Sequence, residues 1–524
     1  MEMISRRTLL QGALAAGSLS LINRIGEGSD GENNHEPVSS ETVPAGALVL
    51  RPTGPSRDLP KFLFGVNSPI TYDIPYESPG FAEFIRKELG PGYLRFPGGT
   101  VANYYNWRTG YLEVKDTPGG SVYRKQLLRF QEPIKALHPR PISVPQFARL
   151  CDDIGCDFVF LPNLETSNIE EQTAWFADMK AKGRVPNHIE MGNEFAIALL
   201  NDAETMRLFP NFTSYRDLAR KYLEAFKAYL PGDGKIALQA DGAVFFHKDD
   251  PGSGLGHRQW RWDQDLTNDP WFQAVTYHPY APAGSIGGGS SNPETPDKAF
   301  TSMLARIEEG TDRAMKFFRK KLPGKEVWVT EWGLFAGGSY FSGIPEYVNG
   351  IWVHQITRGH FAFLRWPEIT MTNMHSIMFS GGLMNTFTRI GEELRPIGVT
   401  GALKWIFQAA NGGAKYQPVK VEGAIKVQGQ GSWKESFDDV VAAMLAKKGE
   451  TTLLIHNASR EEKILSIGQL VGKGTIRRAE AIVTADLLER LDRKLPPVKT
   501  LPIARPVTVP GYSLTRVIWS LGSM

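Results

Sequence analysis

Two glutamates stand where apolar runs end. Glu194 closes the stretch NHIEMGNEF (187–195), and Glu331 sits in KEVWVTEWG (325–333). Each follows a strand-like run and precedes an aromatic residue, Phe195 or Trp332. Two carboxylates across a cleft are what glycosidic bond cleavage requires. One is protonated and delivers a proton to the leaving oxygen; the other stays charged to attack or stabilise the anomeric carbon. Unequal surroundings and mutual repulsion can split two such pKa values. Asn193 suits its neighbour Glu194 to the acid/base role, because an amide there could hydrogen-bond the sugar hydroxyl next to the reacting carbon. Glu331 is then the nucleophile. Either glutamate alone would be an ordinary strand end; together they ask for a fold that makes them face each other.

The surrounding pattern supplies one. Strand-like runs rich in Val, Ile, Phe and Tyr occur at 62–67, 93–99, 156–162, 188–193, 235–241, 274–280 and 326–332, and FAFLRWP (361–367) can supply an eighth. Between most of them lie stretches with apolar residues three and four apart, at 81–89, 169–183, 214–230 and 298–322, with 344–358 and 393–410 closing the series. Strands alternating with helices imply a parallel sheet. Eight units suggest a closed (β/α)8 TIM barrel over 60–411. An open doubly wound sheet is the alternative, and no G-x-G-x-x-G follows the first strand to support a dinucleotide site. In a closed barrel the ends of strands four and seven oppose each other at the mouth, where active groups gather. From 412 to 524 short strands separated by turns read as a C-terminal β-sandwich, with DVVAAMLAKKG as a brief helix signal and 47–54 as a possible extra strand.

Other residues fall at the same rim. Arg95, before Phe96-Pro97-Gly98-Gly99, could bond the nucleophile and hold it ionised. Tyr277-His278-Pro279-Tyr280 ends strand six, where a histidine and a tyrosine can donate to the nucleophile; which tyrosine faces inward depends on where the strand stops. Asn67 ends strand one and Asn163 strand three, both plausible sugar contacts. Asn103 and Trp107, in NYYNW, mix amides and rings suited to a sugar's polar edge and apolar face, and Trp332 joins them. His375, Trp366 and Trp405 are weaker candidates. Trp260 and Trp262 could wall the cleft together with the Gly-rich stretch 281–296, and His257, Arg258 and Arg261 would suit an acidic sugar.

These motifs resemble the retaining glycoside hydrolases built on the eightfold barrel (clan A), whose acid/base follows an Asn at the end of strand four and whose nucleophile ends strand seven. Asn193-Glu194 and Glu331 match residue by residue. LRFPGGTVANYYNW (94–107) is similar to the strand-two segment of α-L-arabinofuranosidases, and also resembles the heparanase and β-glucuronidase family, which shares the barrel and trailing sandwich. GNEF departs from the Gly-Asn-Glu-Pro of heparanase-like enzymes, and Thr330-Glu331-Trp332 is shared with the β-xylosidase type. The resemblance covers 62–524 in architecture and only short motifs in sequence. It implies an O-glycosyl hydrolase acting on an oligosaccharide or polysaccharide, with retention by double displacement, and with the strand-two arginine and strand-six histidine and tyrosine serving the nucleophile. A non-catalytic carbohydrate-binding protein on the same fold is the other reading.

Composition is that of a globular protein: 524 residues, 42% hydrophobic and 22% charged, with a net charge of +3. No cluster of Lys and Arg provides a nucleic-acid face. No run is long enough to span a bilayer, so integral membrane contact is not expected. Cys151 and Cys156 read as buried thiols. No metal or cofactor is expected: with ten histidines there is no H-x-H at a strand end, no calcium loop, and no G-x-S-x-G for an esterase. Residues 1–26, with Arg6-Arg7 before GALAAGSLSLI, resemble a twin-arginine export signal, and 27–46 read as a disordered linker. The expectation is a periplasmic or secreted protein.

Overall fold

The computed structural model describes residues 43–520, apart from 70–75, 77, 138–141, 199–201, 282–294, 334–339, 342–343, 346–349, 378–385, 391–392, 431–432, 473 and 492–493. The expected signal (1–26), most of the linker and most of the Gly-rich stretch 281–296 lie outside the described residues. Eight parallel strands close into a barrel: β1 (Phe64–Asn67), β2 (Tyr93–Phe96), β3 (Asp157–Phe160), β4 (His188–Glu190), β5 (Lys235–Gln239), β6 (Ala274–Thr276), β7 (Glu326–Trp332) and β8 (Ile369–His375). β8 pairs back on β1 through Thr372–His375 against Phe64–Asn67. Helices α1 (Phe81–Glu88), α2 (Val144–Ile154), α3 (Ile169–Ala181), α4 (Phe212–Phe226), α5 (Gly254–Gln264), α6 (Pro296–Lys321), α7 (Gly350–Leu364) and α8 (Thr400–Ala410) follow the strands in turn.

Local chemistry sets several helix starts. Asn168 accepts from the Glu171 amide at 2.8 Å and Asn211 from Ser214 at 2.9 Å, satisfying free donors at the first turns of α3 and α4. Ser143 and Gln146 form a reciprocal cap on α2, and Gly155, at φ 84°, ends it. Cys151 and Cys156 flank that turn as buried free thiols.

Two expectations along the chain give way. FAFLRWP does not supply the last strand: Phe361 to Leu364 complete α7, every residue of which is buried, and β8 begins at Ile369. α7 is apolar all round because the barrel covers one side and the second sheet the other, which erases the amphipathic period that marks a surface helix. DVVAAMLAKKG is a strand, Val440–Lys447, paired with Glu450–Asn457 over its whole length. Its Ala, Met, Leu and Lys favour helix intrinsically, and cross-strand pairing overrides them.

The second sheet curls around its own core. Its strands are β9 (Lys415–Glu422), β10 (Val440–Lys447), β11 (Glu450–Asn457), β12 (Lys463–Ser466), β13 (Thr475–Val483), β14 (Val498–Thr500), β15 (Val507–Val509) and β16 (Ser513–Ser520). The order is β14-β13-β16-β11-β10-β9, then Leu48–Pro52, then β12-β15. The N-terminal strand thus lies antiparallel to β9 and parallel to β12. Leu50, Ile455, Val509, Val517 and Trp519 fill the space inside the curl. Among the described residues, no helix is long and apolar enough to cross a membrane.

Candidate active site

The barrel interior is stacked in levels. At its floor, Tyr93, Val159, Ala237, Ala274, Trp328 and Met371 form an apolar plug. Two residues further along the strands, polar side chains replace it: Arg95, Glu190 and Thr330, all fully buried. A buried arginine is tolerable only when its charge and donors are met. Here Nε and Nη2 of Arg95 clasp the two oxygens of Glu190 at 2.8 Å each, and Nη2 also reaches Asn193 Oδ1 at 2.7 Å. Nη1 donates to Glu331 Oε2 at 2.8 Å. Thr330 Oγ1 donates to Glu190 Oε1 at 2.9 Å.

A bulge in β7 places both Thr330 and Glu331 on the inner side. The register with β8 slips between Val329 and Trp332, so three steps on β7 match two on β8. Simple alternation would send Glu331 outward; the extra residue turns it into the mouth and sends Trp332 into the helical layer. Trp332 is buried there against His360 and Phe363. It is a core residue, contrary to its expected place among the sugar contacts.

Glu331 is gripped from four sides. Tyr280 Oη donates to Oε1 at 2.5 Å, Asn67 Nδ2 donates to Oε2 at 3.2 Å, and His375 Nδ1 lies 3.5 Å from Oε1, completing the circle with Arg95. A bridge between Tyr280 and Gly333 fixes the tyrosine beside β7. Burial alone would raise the Glu331 carboxyl. The charges of His375, His278 and Arg95 and the Tyr280 hydroxyl outweigh it and pull the group down to about 2. Gly99 is required by the same crowding, since a Cβ there would come within 2.5 Å of Glu331 Oε2.

Glu194 reaches the site from the turn after β4. Gly192 takes φ 82° and Glu194 itself φ 55°, a left-handed conformation that glutamate seldom adopts. Gln239 of β5 holds the turn: its side-chain oxygen accepts from the Phe195 amide at 3.1 Å, and its amide nitrogen donates to the Gly192 carbonyl. Strained backbone so held at a cleft is a mark of functional geometry. The Glu194 side chain is 19% exposed.

His278 meets Glu194 rather than the expected nucleophile. Its Nδ1 lies 2.8 Å from Glu194 Oε1, and Nε2 lies 3.1 Å from Thr330 Oγ1. Burial would lower this imidazole. Contacts with Glu190 and Glu194 and the charge of Glu331 raise it instead, to about 9. One ligand atom each of Glu194, His278 and Glu331 lie within 4.8 Å of one another, a spacing a metal ion could use. Cations already occupy the positions such an ion would neutralise: Arg95 on Glu331, and a protonated His278 on Glu194.

Several residues expected as sugar contacts or supports are tied into the scaffold. Asn193 spends its side chain on Arg95 and on Thr100 Oγ1 at 3.2 Å. Asn103 clamps both backbone groups of Asn193, at 2.9 and 3.1 Å. Asn163 is buried and satisfied by its own turn and the Tyr105 carbonyl. Tyr277 packs outward against Phe318, leaving Tyr280 as the inward tyrosine. Trp107 lies parallel to Trp175 with Arg108 over it at 4.3 Å, so its ring is no open platform. Trp262 is buried and donates to the Gln239 carbonyl at 2.9 Å. Arg258 binds the carbonyls of Phe195, Ala196, Phe209 and Pro210, and His257 pairs with Asp250, which removes both from the acidic-sugar reading.

Glu190 was not singled out in the sequence, although a carboxylate inside an apolar strand four residues before Glu194 is a usable signal. Asp241 and Asp263, a close carboxyl pair beyond β5, were also missed. Burial and mutual repulsion raise Asp241 to about 8, and burial raises Asp263 to about 6.

The whole architecture has known parallels. A family 51 arabinofuranosidase from Xanthomonas axonopodis pv. citri superposes with a TM-score of 0.64 at 14% identity, over 90% of this chain and 100% of that one. An α-L-arabinofuranosidase from Thermotoga maritima, in complex with arabinose, gives 0.62 at 14% identity, over 91% and 100%. A family 44 xyloglucanase from Paenibacillus polymyxa gives 0.56 at 11%, again over 91% and 100%. The fold is theirs. At such identities the likeness is one of architecture, and no family model or curated relative matches the sequence.

Proposed function

We propose that the protein is a retaining glycoside hydrolase, with Glu331 as nucleophile and Glu194 as acid/base. One observation carries this reading: a carboxylate held ionised by Arg95, Tyr280 and Asn67 faces a second carboxyl within 4.8 Å across the barrel mouth. Retaining enzymes keep their carboxyl groups about 5–5.5 Å apart and inverting ones about 6.5–9.5 Å. This close approach supports the retaining reading.

In the first step Glu331 attacks the anomeric carbon and forms a glycosyl ester. The bond to the leaving oxygen breaks as Glu194 gives that oxygen a proton. The proton is drawn from the 2.8 Å contact between Glu194 and His278. Because the Glu331 charge is one of the influences that hold the proton on His278, forming the ester weakens that hold. In the second step Glu194 takes a proton from water, water attacks the anomeric carbon, and Glu331 leaves as carboxylate.

The solved neighbours act on arabinofuranosides and xyloglucan by their names, and the Thr330-Glu331-Trp332 motif keeps xylosides in view. We therefore place arabinofuranosyl and xylosyl linkages of an oligosaccharide or polysaccharide first, with glucuronides as the alternative. Export by a twin-arginine route is proposed from Arg6-Arg7, and cell fractionation of an Arg6→Lys/Arg7→Lys variant tests it. The test of function is a panel of aryl glycosides of arabinofuranose, xylose, glucose, galactose and glucuronic acid, followed by polysaccharides. Glu331→Ala abolishes turnover, and Glu194→Ala lowers it by about 10²–10⁴-fold. Nuclear magnetic resonance should show the first product with retained configuration. Silence on every glycoside and polysaccharide, with the fold intact, overturns the reading.

A further inference from the structure

Far from the barrel mouth, α8 and the second sheet line a half-open cavity of about 410 Å³. It lies near the C-terminal end of α8, where Asn411 bonds the backbone of Leu63 and Phe64 at the start of β1, the end of the barrel opposite Glu194 and Glu331. The wall from α8 is Trp405, Gln408 and Ala409, one helical face. The wall from the sheet carries three arginines: Arg477 and Arg478 of β13 and Arg516 of β16.

A bulge puts two of them side by side. Ile476 pairs with Trp519 and Arg478 with Ile518, so Arg477 has no partner across the strands. Regular alternation would bury either Arg477 or Arg478. The inserted residue breaks it, and the sequence Ile476 to Ala479 reads buried, exposed, exposed, buried. Neither arginine has a carboxylate partner among the described residues.

Arg516 is built in more deeply. It is 8% exposed, with its guanidinium 4.3 Å over the Trp405 ring and Nη2 donating to Glu480 Oε2 at 2.7 Å. These contacts fix its orientation, yet its buried Nε makes no hydrogen bond. A buried charged donor left unpaired costs stability unless something satisfies it. Glu450, Thr452 and Gln408 add hydrogen-bonding groups of the kind that meet hydroxyls.

We propose that this cavity binds an acidic sugar unit of a glycan, with the three arginines on its carboxylate and the polar residues on its hydroxyls. Guanidinium forks match carboxylate geometry, and the volume suits a ligand of one or two sugar rings. The choice of a sugar as carrier of the anion rests on the proposed glycosidase activity; the anion site does not. A glycan held here and at the mouth would gain by effective concentration.

Calorimetric titration of the full chain carrying Glu331→Gln, which cannot consume the ligand, tests this with an oligogalacturonate, glucuronate, neutral xylotriose and inorganic phosphate. The expected result is binding of the two uronates that Arg478→Ala and Arg477→Ala each weaken about tenfold, with xylotriose binding at the mouth left unchanged by either. Both positions are exposed, so neither variant disturbs the core, and in the otherwise native chain both leave aryl glycoside turnover unchanged. Uronate binding indifferent to both arginines overturns the site. Phosphate binding as tight as the uronates overturns the sugar, and no binding at all overturns the proposal. None of these outcomes touches the result with aryl glycosides, so the two readings fail separately.

Discussion

Arg95 Nη1 lies 2.8 Å from Glu331 Oε2 while the same guanidinium clasps Glu190 through Nε and Nη2. One side chain therefore ties the level beneath the mouth to the proposed nucleophile. Burial would raise Glu190, and the charges of Arg95 and His278 keep it lowered and ionised. Arg95→Met strands two carboxylates in a buried site and is expected to cost about 3–5 kcal/mol in urea unfolding. Arg95→Lys restores a charge but supplies no planar fork. It should recover part of the stability while kcat stays at least about 10²-fold down, since each lost charge-assisted bond is worth about 1.5–3 kcal/mol. A lysine variant with native kcat would show that charge alone suffices.

Tyr280 Oη is the donor on the other oxygen of Glu331. With Glu331 pulled down from 4.5 to about 2, its ionisation should leave kcat/KM level across the ordinary acid range. Tyr280→Phe removes one of the interactions that lower it. The acid limb should then move to higher pH, with kcat/KM down by about 10–100-fold, the worth of one hydrogen bond to a charged group. A uniform loss at every pH, with no displaced limb, would mean that the hydroxyl touches substrate and leaves the charge of Glu331 alone.

The barrel and the two glutamates were legible because both rest on periodic signals: apolar strands at regular intervals, and a carboxylate ending two of them. The supporting residues were harder to read, because their roles depend on which way each side chain points. Tyr277 and Tyr280 are three residues apart, and only the bridge from Tyr280 to Gly333 decides between them. Trp332 follows Glu331 in sequence, but the β7 bulge sends it to the opposite face. Bulges depend on pairing with a neighbouring strand and leave no trace in a single sequence. Asn193 and Asn103 are expected at the ligand because an amide suits a sugar hydroxyl; the structure ties Asn193 to Arg95 and Asn103 to the turn that presents Glu194. The end of α7, Phe361 to Leu364, reads as a strand for the opposite reason, since burial on all sides removes its period.

Asp241 and Asp263 sit behind the loop after β5, with Asp263 accepting the amides of Asp241 and Ala243 at 2.8 and 2.6 Å. Burial and the charge of Asp263 raise Asp241 from 3.8 to about 8. A group raised on folding contributes stability that is complete below its unfolded pKa and disappears as pH rises through its folded value. The native chain should therefore lose Tm relative to Asp241→Asn between about pH 4 and 8. Scanning calorimetry at pH 4, 6 and 8 reads this directly. Parallel Tm curves would show that Asp241 titrates normally. The Asn variant can still meet the Gln259 amide that now donates to Asp241 Oδ2 at 3.0 Å.

Between α7 and the second sheet, His354 Nδ1 lies 2.8 Å from His456 Nε2, and His354 Nε2 lies 2.7 Å from Thr484 Oγ1. Both rings are buried, with Arg358 as the charge acting on both. Burial and then that arginine lower His354 to about 3 and His456 well below its usual value. A ring kept neutral on folding contributes stability that is complete above its unfolded value near 6.5 and is lost as pH falls toward the folded one. Acid should thus loosen the seam between barrel and sheet first. His456→Gln keeps a hydrogen-bonding group but cannot take up a proton. It should start with a lower Tm at pH 7.5 and fall less steeply than the native chain from pH 6.5 to 4. Proteolysis at pH 4.5 should cut the native chain between α8 and β9 sooner than it cuts the variant. Equal acid slopes would place the acid sensitivity elsewhere in the molecule.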